Sequence, residues 1–188
     1  MGMYKSVKAT FASEYKSRPQ IYKDRITRWR ADPPIKRIEK PTNIAKARQV
    51  GYKAKEGVIV VRVRVKGGKK KKEAVGGGRK PSKSGRFFSI SKSTQSIAED
   101  RAARRFPNTE VLNSYFIGSA GSDRFFEIIL LDRASSSILS DPNYRGVVEQ
   151  KRRSYRGLTY SGRKHRGIAV KGYGTIKRRP SKRSNLRS

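Results

Sequence analysis

The sequence predicts an α+β fold, a small antiparallel sheet packed with helices, to which long basic extensions are attached. Three observations carry this. Charge is segregated along the 188 residues: residues 1–92 hold 27 Lys+Arg and 6 Asp+Glu, residues 93–150 hold 6 and 8, and residues 151–188 hold 14 and none. The near-neutral middle block contains one helix signal followed by two strand signals, and a third strand signal lies at residues 58–65. The rest has too little apolar surface for a second core. With Gly counted and Tyr left out, the apolar share is about 38%, against about 45–50% in a typical soluble domain. The chain divides accordingly: residues 1–57 a basic helical region, residues 58–65 and 93–150 the α+β core, residues 66–92 a basic Gly/Lys loop, and residues 151–188 a basic C-terminal extension.

Each element has a local cause. In the first 50 residues, Val7, Phe11 and Tyr15 recur at i, i+4 and i+8, and Tyr22, Ile26 and Trp29 share a second helical face. Pro19, Pro33, Pro34 and Pro41 punctuate these short helices. Thr42 is placed to cap a helix running to Val50, with Gly51 as its C-terminal stop. In residues 58–65, Val61, Val63 and Val65 face one way and Arg62 and Arg64 the other. Residues 66–92 are Gly- and Lys-rich and, like residues 151–188, lack the apolar surface to offset ordering entropy on their own. A helix opens at residues 93–96, where Ser93, Thr94 and Ser96 are alternative N-caps and Ser96 stands at capping-box spacing from Glu99. Its stripe is Ile97, Ala98, Ala102 and Phe106, and Pro107-Asn108 stops it. Residues 110–117 and 124–131 form a hairpin joined by a turn-rich loop over residues 118–123, and the sheet buries one face under the helix.

Several function classes are excluded. Without cysteine there is no disulfide framework, zinc ribbon or Cys nucleophile. The N-terminus has no apolar signal region, and the longest aliphatic runs are four residues, far short of the ~20 that cross a bilayer. An intracellular protein with no membrane partner is expected. Met1-Gly2-Met3-Tyr4-Lys5-Ser6 fits a myristoylation pattern, but the basic residues are spread along the whole chain rather than clustered beside it. Gly51 and Gly57 have the wrong spacing for an ATP loop, and Val58 stands where such a loop needs Lys. Gly118-Ser119-Ala120-Gly121 looks like a KH-domain loop but joins two strands. His165 sits among Arg163, Lys164 and Arg166 with no carboxylate to orient it as a base. The carboxylates Glu99, Asp100, Asp123, Glu127 and Asp132 are assigned to capping, turns and pairing with nearby Arg. No enzyme, metal, cofactor or small-molecule substrate is expected.

A net charge of +33 demands a polyanion, because self-repulsion otherwise destabilises the compact state. No helix-turn-helix, zinc finger or basic zipper can be placed. In the C-terminal block Arg is interleaved with Gly and Tyr, which suits bidentate phosphate contacts and close approach to folded RNA. Trp29 reads as a core anchor. Tyr144, Tyr155, Tyr160 and Tyr173 have no apolar periodicity and are assigned to stacking on unpaired bases.

The run from Ala45 through Arg48-Gln49-Val50-Gly51-Tyr52-Lys53-Ala54-Lys55-Glu56-Gly57, continuing through Arg62-Val63-Arg64-Val65 to Gly67-Gly68, resembles the signature of the archaeal–eukaryotic, e-type protein number fifteen of the large ribosomal subunit. So do Gln95-Ser96-Ile97-Ala98-Glu99, Val111-Leu112-Asn113-Ser114-Tyr115, Phe125-Phe126-Glu127-Ile128-Ile129-Leu130, and Arg156-Gly157-Leu158-Thr159 with Gly162-Arg163-Lys164. The chain's length suits the archaeal form. The resemblance implies an α+β fold with extensions threading into ribosomal RNA, in the cytoplasm, with large-subunit ribosomal RNA and neighbouring large-subunit proteins as partners. The residues expected to meet RNA are Arg48, Tyr52, Lys53, Lys55, Arg62, Arg64, Lys69, Lys70, Lys71, Lys72, Arg79, Lys80, Lys83 and Arg86 in the first flank. In the second they are Arg152, Arg153, Arg156, Arg163, Lys164, His165 and Arg166. The alternative is a DNA-binding or chromatin-compacting protein.

Overall fold

The computed structural model describes residues 2–68, 70–71, 87–88 and 92–169. In chain order the elements are α1 (Met3–Ser17), α2 (Gln20–Ala31), β1 (Ile35–Ile38), α3 (Ile44–Gln49), β2 (Val58–Lys66), β3 (Lys70–Lys71), β4 (Phe87–Phe88), α4 (Thr94–Arg105), β5 (Thr109–Ala120), β6 (Asp123–Asp132), α5 (Ser136–Leu139), α6 (Pro142–Val148) and α7 (Tyr160–His165). The main sheet is antiparallel throughout, in the order β1-β2-β6-β5, and β3 pairs with β4 in a separate ribbon. The fold is the expected α+β.

Every residue from Phe125 to Leu131 is buried, because β6 lies inside the sheet and both of its faces are covered. On one face Val61, Val63 and Val65 join Val111, Phe126, Ile128 and Leu130 beneath Ala98 and Ala102 of α4. The second face is closed in sections: Tyr22, Ile26 and Trp29 of α2 against Phe125, Ala47 of α3 with Tyr115 and Ile129, and Ile138, Tyr144 and Val148 over Leu131. The expected sheet with one buried face is therefore corrected. The unbroken apolar run in β6 is what a strand covered on both sides requires.

The hairpin is also longer than expected. Strands β5 and β6 run on to Ala120 and from Asp123, so the six-residue loop shrinks to the turn Gly121-Ser122. Two register shifts in β5, between Val111 and Asn113 and between Phe116 and Gly118, keep it paired. Each inserts a residue and reverses the inside–outside parity. Past the first shift Ser114 reaches Glu99 of α4; past the second Gly118 lies against Tyr22 of α2. The Tyr22 hydroxyl clamps the strand end by donating to the Ser119 carbonyl at 3.1 Å and accepting from the Ser119 N–H at 3.1 Å.

Three further elements depart from expectation. Strand β1 was not legible: Pro33 and Pro34 lead into a four-residue edge strand, where a missing N–H is tolerated. Helix α3 is capped by Asn43, whose Oδ1 accepts the Lys46 N–H at 2.9 Å, and not by Thr42. At α4 the cap is Ser93, accepting the Ser96 N–H at 3.1 Å, which leaves Glu99 free to turn inward. Residues 151–169, expected to lack structure of their own, fold back onto α4 and β5.

This C-terminal segment is seated by a close approach of two glycines. A Cβ on Gly162 would lie 2.6 Å from the Gly157 Cα and 2.8 Å from its carbonyl carbon. Gly162→Ala is expected to cost about 1–3 kcal/mol in denaturant unfolding, since backbone cannot move aside cheaply. Gly146→Ala in α6, where nothing lies within 4 Å, should be neutral or stabilise by up to about 1 kcal/mol. Equal effects of the two would contradict this packing.

Candidate nucleic-acid interface

Three buried glutamates tie irregular segments to the sheet. Glu99, fully buried in α4, accepts the hydroxyls of Ser114, of Thr159 at 2.6 Å and of Ser161 at 2.7 Å. Glu127, fully buried in β6, accepts the Tyr115 hydroxyl, the Thr42 hydroxyl at 2.5 Å and the Thr42 N–H at 3.1 Å. Glu110 accepts two successive N–H groups, Arg152 at 2.9 Å and Arg153 at 3.0 Å. This corrects the assignment of Glu99 and Glu127 to capping and Arg pairing: all their hydrogen bonds come from uncharged donors. Asp123 does pair with Arg30 at 3.3 Å, and Asp132 does form a turn by accepting the Ala134 N–H at 3.0 Å.

Burial of these acids changes the outward charge. Of the eight carboxylates in residues 93–150, only Glu149 is exposed, and it pairs with Arg145 at 2.9 Å. Five of the six arginines in the same block, Arg101, Arg104, Arg105, Arg124 and Arg145, are exposed. A block near neutrality in sequence is therefore basic toward solvent. Arg101, Arg104 and Arg105 were not among the expected contacts. Arg101 and Arg104 fall at i+4 and i+7 from Ile97, on the side of α4 away from buried Glu99 and Ala102, so the expected stripe, which placed Ile97 inward, concealed them.

The expected contact residues fall into three groups. Arg48, Arg152, Arg163, Lys164 and His165 are exposed; the Arg48 guanidinium lies 5.6 Å from the Tyr4 ring centroid. Others are partly engaged. Lys53 and Lys55 reach Asp141 at 3.3 and 3.4 Å, and Tyr52 packs beside Ala47, Tyr115 and Ile129. Arg64 donates to the Arg30 carbonyl at 2.5 Å, Arg156 to the Lys151 carbonyl at 3.1 Å, and Arg166 to the Arg156 carbonyl at 3.1 Å. Two are committed to the fold. Arg62 bonds Asp32 at 2.6 Å with its guanidinium 4.8 Å from the Trp29 centroid, and its side chain is only 12% exposed. Arg153 donates to the Val111 carbonyl at 2.6 Å, and burial lowers its pKa. Lys70 and Lys71 form β3, while Lys69, Lys72, Arg79, Lys80, Lys83 and Arg86 lie outside the described residues.

Among the aromatics, Trp29 is the expected core anchor. Tyr144 is buried, with its hydroxyl donating to the Gly51 carbonyl at 2.8 Å, so its assignment to base stacking is corrected. Tyr155 and Tyr160 are exposed, and Tyr173 lies outside the described residues. None of the helices among the described residues is long and apolar enough to cross a membrane.

Burial raises the pKa of Glu99 and of Glu127 above the ordinary value of 4.5, against the opposing pull of their hydrogen bonds. A carboxyl with a raised folded pKa binds its proton more tightly folded than unfolded, so stability falls as pH rises from about 4.5 through that folded value. Asp141 acts oppositely: the Asn143 backbone N–H, first among its partners, holds it at about 2, and its contribution is lost as pH falls. Glu99→Gln keeps an acceptor for the three hydroxyls and removes the titration. Urea midpoints between pH 5 and 8 should decline less steeply for this variant than for wild type; superimposable profiles would refute the assignment.

Comparison with known proteins identifies the family. A family model described as Ribosomal L15 matches residues 2–185. Large ribosomal subunit protein eL15 of Nanoarchaeum equitans (strain Kin4-M) is 41% identical over 189 residues, spanning 100% of both chains. The protein of the same name from Methanocorpusculum labreanum (strain ATCC 43576 / DSM 4855 / Z) is 45% identical over 159 residues, 84% of this chain and 82% of its own. With the match running almost from end to end, the chain belongs to the ribosomal L15e family.

Proposed function

We propose that the chain is a structural constituent of the large ribosomal subunit in the cytoplasm, where it binds and stabilises large-subunit ribosomal RNA and touches neighbouring subunit proteins. Membership of a ribosomal protein family makes it a component of a particle and not an enzyme. The observation that carries the RNA reading is the sorting of charge by burial in residues 93–150: seven of the eight carboxylates are buried or half-buried, the eighth pairs with Arg145, and five of the six arginines are exposed.

Phosphates meeting those cations release condensed counterions, and RNA helices can then approach one another at distances that bare phosphates oppose. Strands β2, β5 and β6 with α4 act as the rigid frame that sets register. The Gly/Lys loop over residues 66–92 and the end of the chain beyond residue 169 supply further cations.

Density-gradient fractionation of a lysate should recover the chain with free large subunits and whole ribosomes, through a moderate salt wash. Recovery with chromosomal DNA would replace this reading with a DNA-compacting one. If about a third of the excess charge meets phosphate, binding to protein-free large-subunit RNA should show a slope of log K against log salt near −10. A slope shallower than about −3 is incompatible with the proposal.

A further inference from the structure

A cleft of about 610 Å³ opens where the last turn of α4, the start of β5 and the segment after residue 150 meet. Its walls include Arg104, Arg133, Lys151, Arg152 and Tyr155. Four cations thus converge on one space, and none of them forms an ion pair among the described residues, unlike Arg62 or Arg145. The one carboxylate in the wall, Glu110, is occupied by the N–H groups of Arg152 and Arg153. Those two bonds also hold Arg152 at φ +57°, a region costly for a residue with a side chain. The fold therefore uses its local acid to fix backbone, and with four cations against one carboxylate the cleft keeps an excess of positive charge.

Tyr155 completes the site. Its hydroxyl is tied to the Asp100 carbonyl at 3.2 Å, yet the residue remains 42% exposed, so the ring is held in place and still accessible. The cleft is far larger than a phosphate group needs and lies in the range of small-ligand sites, about 300–1,000 Å³. Two other clefts among the described residues are poorer in charge: the one beside Tyr15 and Phe116 has Arg124 as its single cation, and the one beside Trp29 sets Arg25 and Arg28 against Asp24.

We propose that this cleft receives one unpaired nucleotide of an RNA strand, with its phosphate among Arg104, Arg133, Lys151 and Arg152 and its base or ribose against Tyr155. The proposal rests on the RNA-binding reading above and adds to it a defined ligand. A base already stacked in a helix cannot enter, so the nucleotide comes from a bulge, loop or strand end. An acidic peptide of a neighbouring protein would satisfy the cations but gain little from the ring.

The test uses the full chain and protein-free large-subunit RNA in filter binding across a salt series. Tyr155→Leu should weaken binding about tenfold at every salt concentration with the slope unchanged, because stacking carries no counterion release. Tyr155→Phe, which keeps the ring and loses only the bond to Asp100, should stay within about twofold of wild type. Arg104→Ala combined with Arg152→Ala should make the slope shallower by about two. Irradiation of the wild-type complex at 254 nm should leave a nucleotide adduct on the peptide containing Tyr155. The adduct is read on wild type, so it decides even where Tyr155→Leu melts at a lower temperature. Absence of the adduct, together with Tyr155→Leu binding like wild type, overturns the cleft and leaves RNA binding intact. Failure of the wild-type chain to bind the RNA overturns both.

Discussion

The structure depends on buried carboxylates being satisfied by neutral donors. Glu99, Glu110 and Glu127 would each cost several kcal/mol if left unsatisfied in the interior. Each instead gathers hydroxyls or N–H groups from stretches with little apolar content: Thr159 and Ser161, the backbone at Arg152 and Arg153, and Thr42. These stretches cannot hold themselves to the sheet by hydrophobic burial. The requirement that a buried acid find donors does it for them, which is how residues 151–169, with seven basic and no acidic residues, are held against α4 and β5.

The same arrangement shapes the surface. Had those acids been neutralised by Lys or Arg, each pair would have withdrawn a cation from the exterior. Hydroxyls and backbone N–H groups satisfy them instead, so the arginines of α4, and Arg152 after α6, remain outside. Asp32 shows the opposite case. It takes Arg62 and Lys36, and Arg62 is withdrawn from the surface in return for fixing α2 and Trp29 against β2. Cations on a helix or anchored turn lose less freedom on meeting phosphate than cations on free chain. On the proposed function, the folded part of the protein presents cations to RNA in its own right.

Local rules read from the sequence found most of the frame. Strand β2, the pairing of β5 with β6, the buried faces of α2 and α4, and the Gly51 stop all follow from periodicities and caps spanning a few residues. Strand β1 escaped because four residues after two prolines have too few positions to show alternation. The hairpin loop was overestimated because β-bulges let Gly118 and its neighbours stay paired where composition suggested a turn. Tyr144 looked free because its apolar surroundings, Leu131 and Ile138, come from other elements.

The family and the α+β architecture were legible in the sequence alone, since charge segregation, element order and motif likeness are properties of the chain itself. Which cations face outward was decided only by tertiary structure. Arg62 finds Asp32 30 residues away, and Glu99 finds Thr159 at a separation of 60. A polar side chain's role is set by whatever the fold brings within 3 Å of it, and no local period encodes that distance.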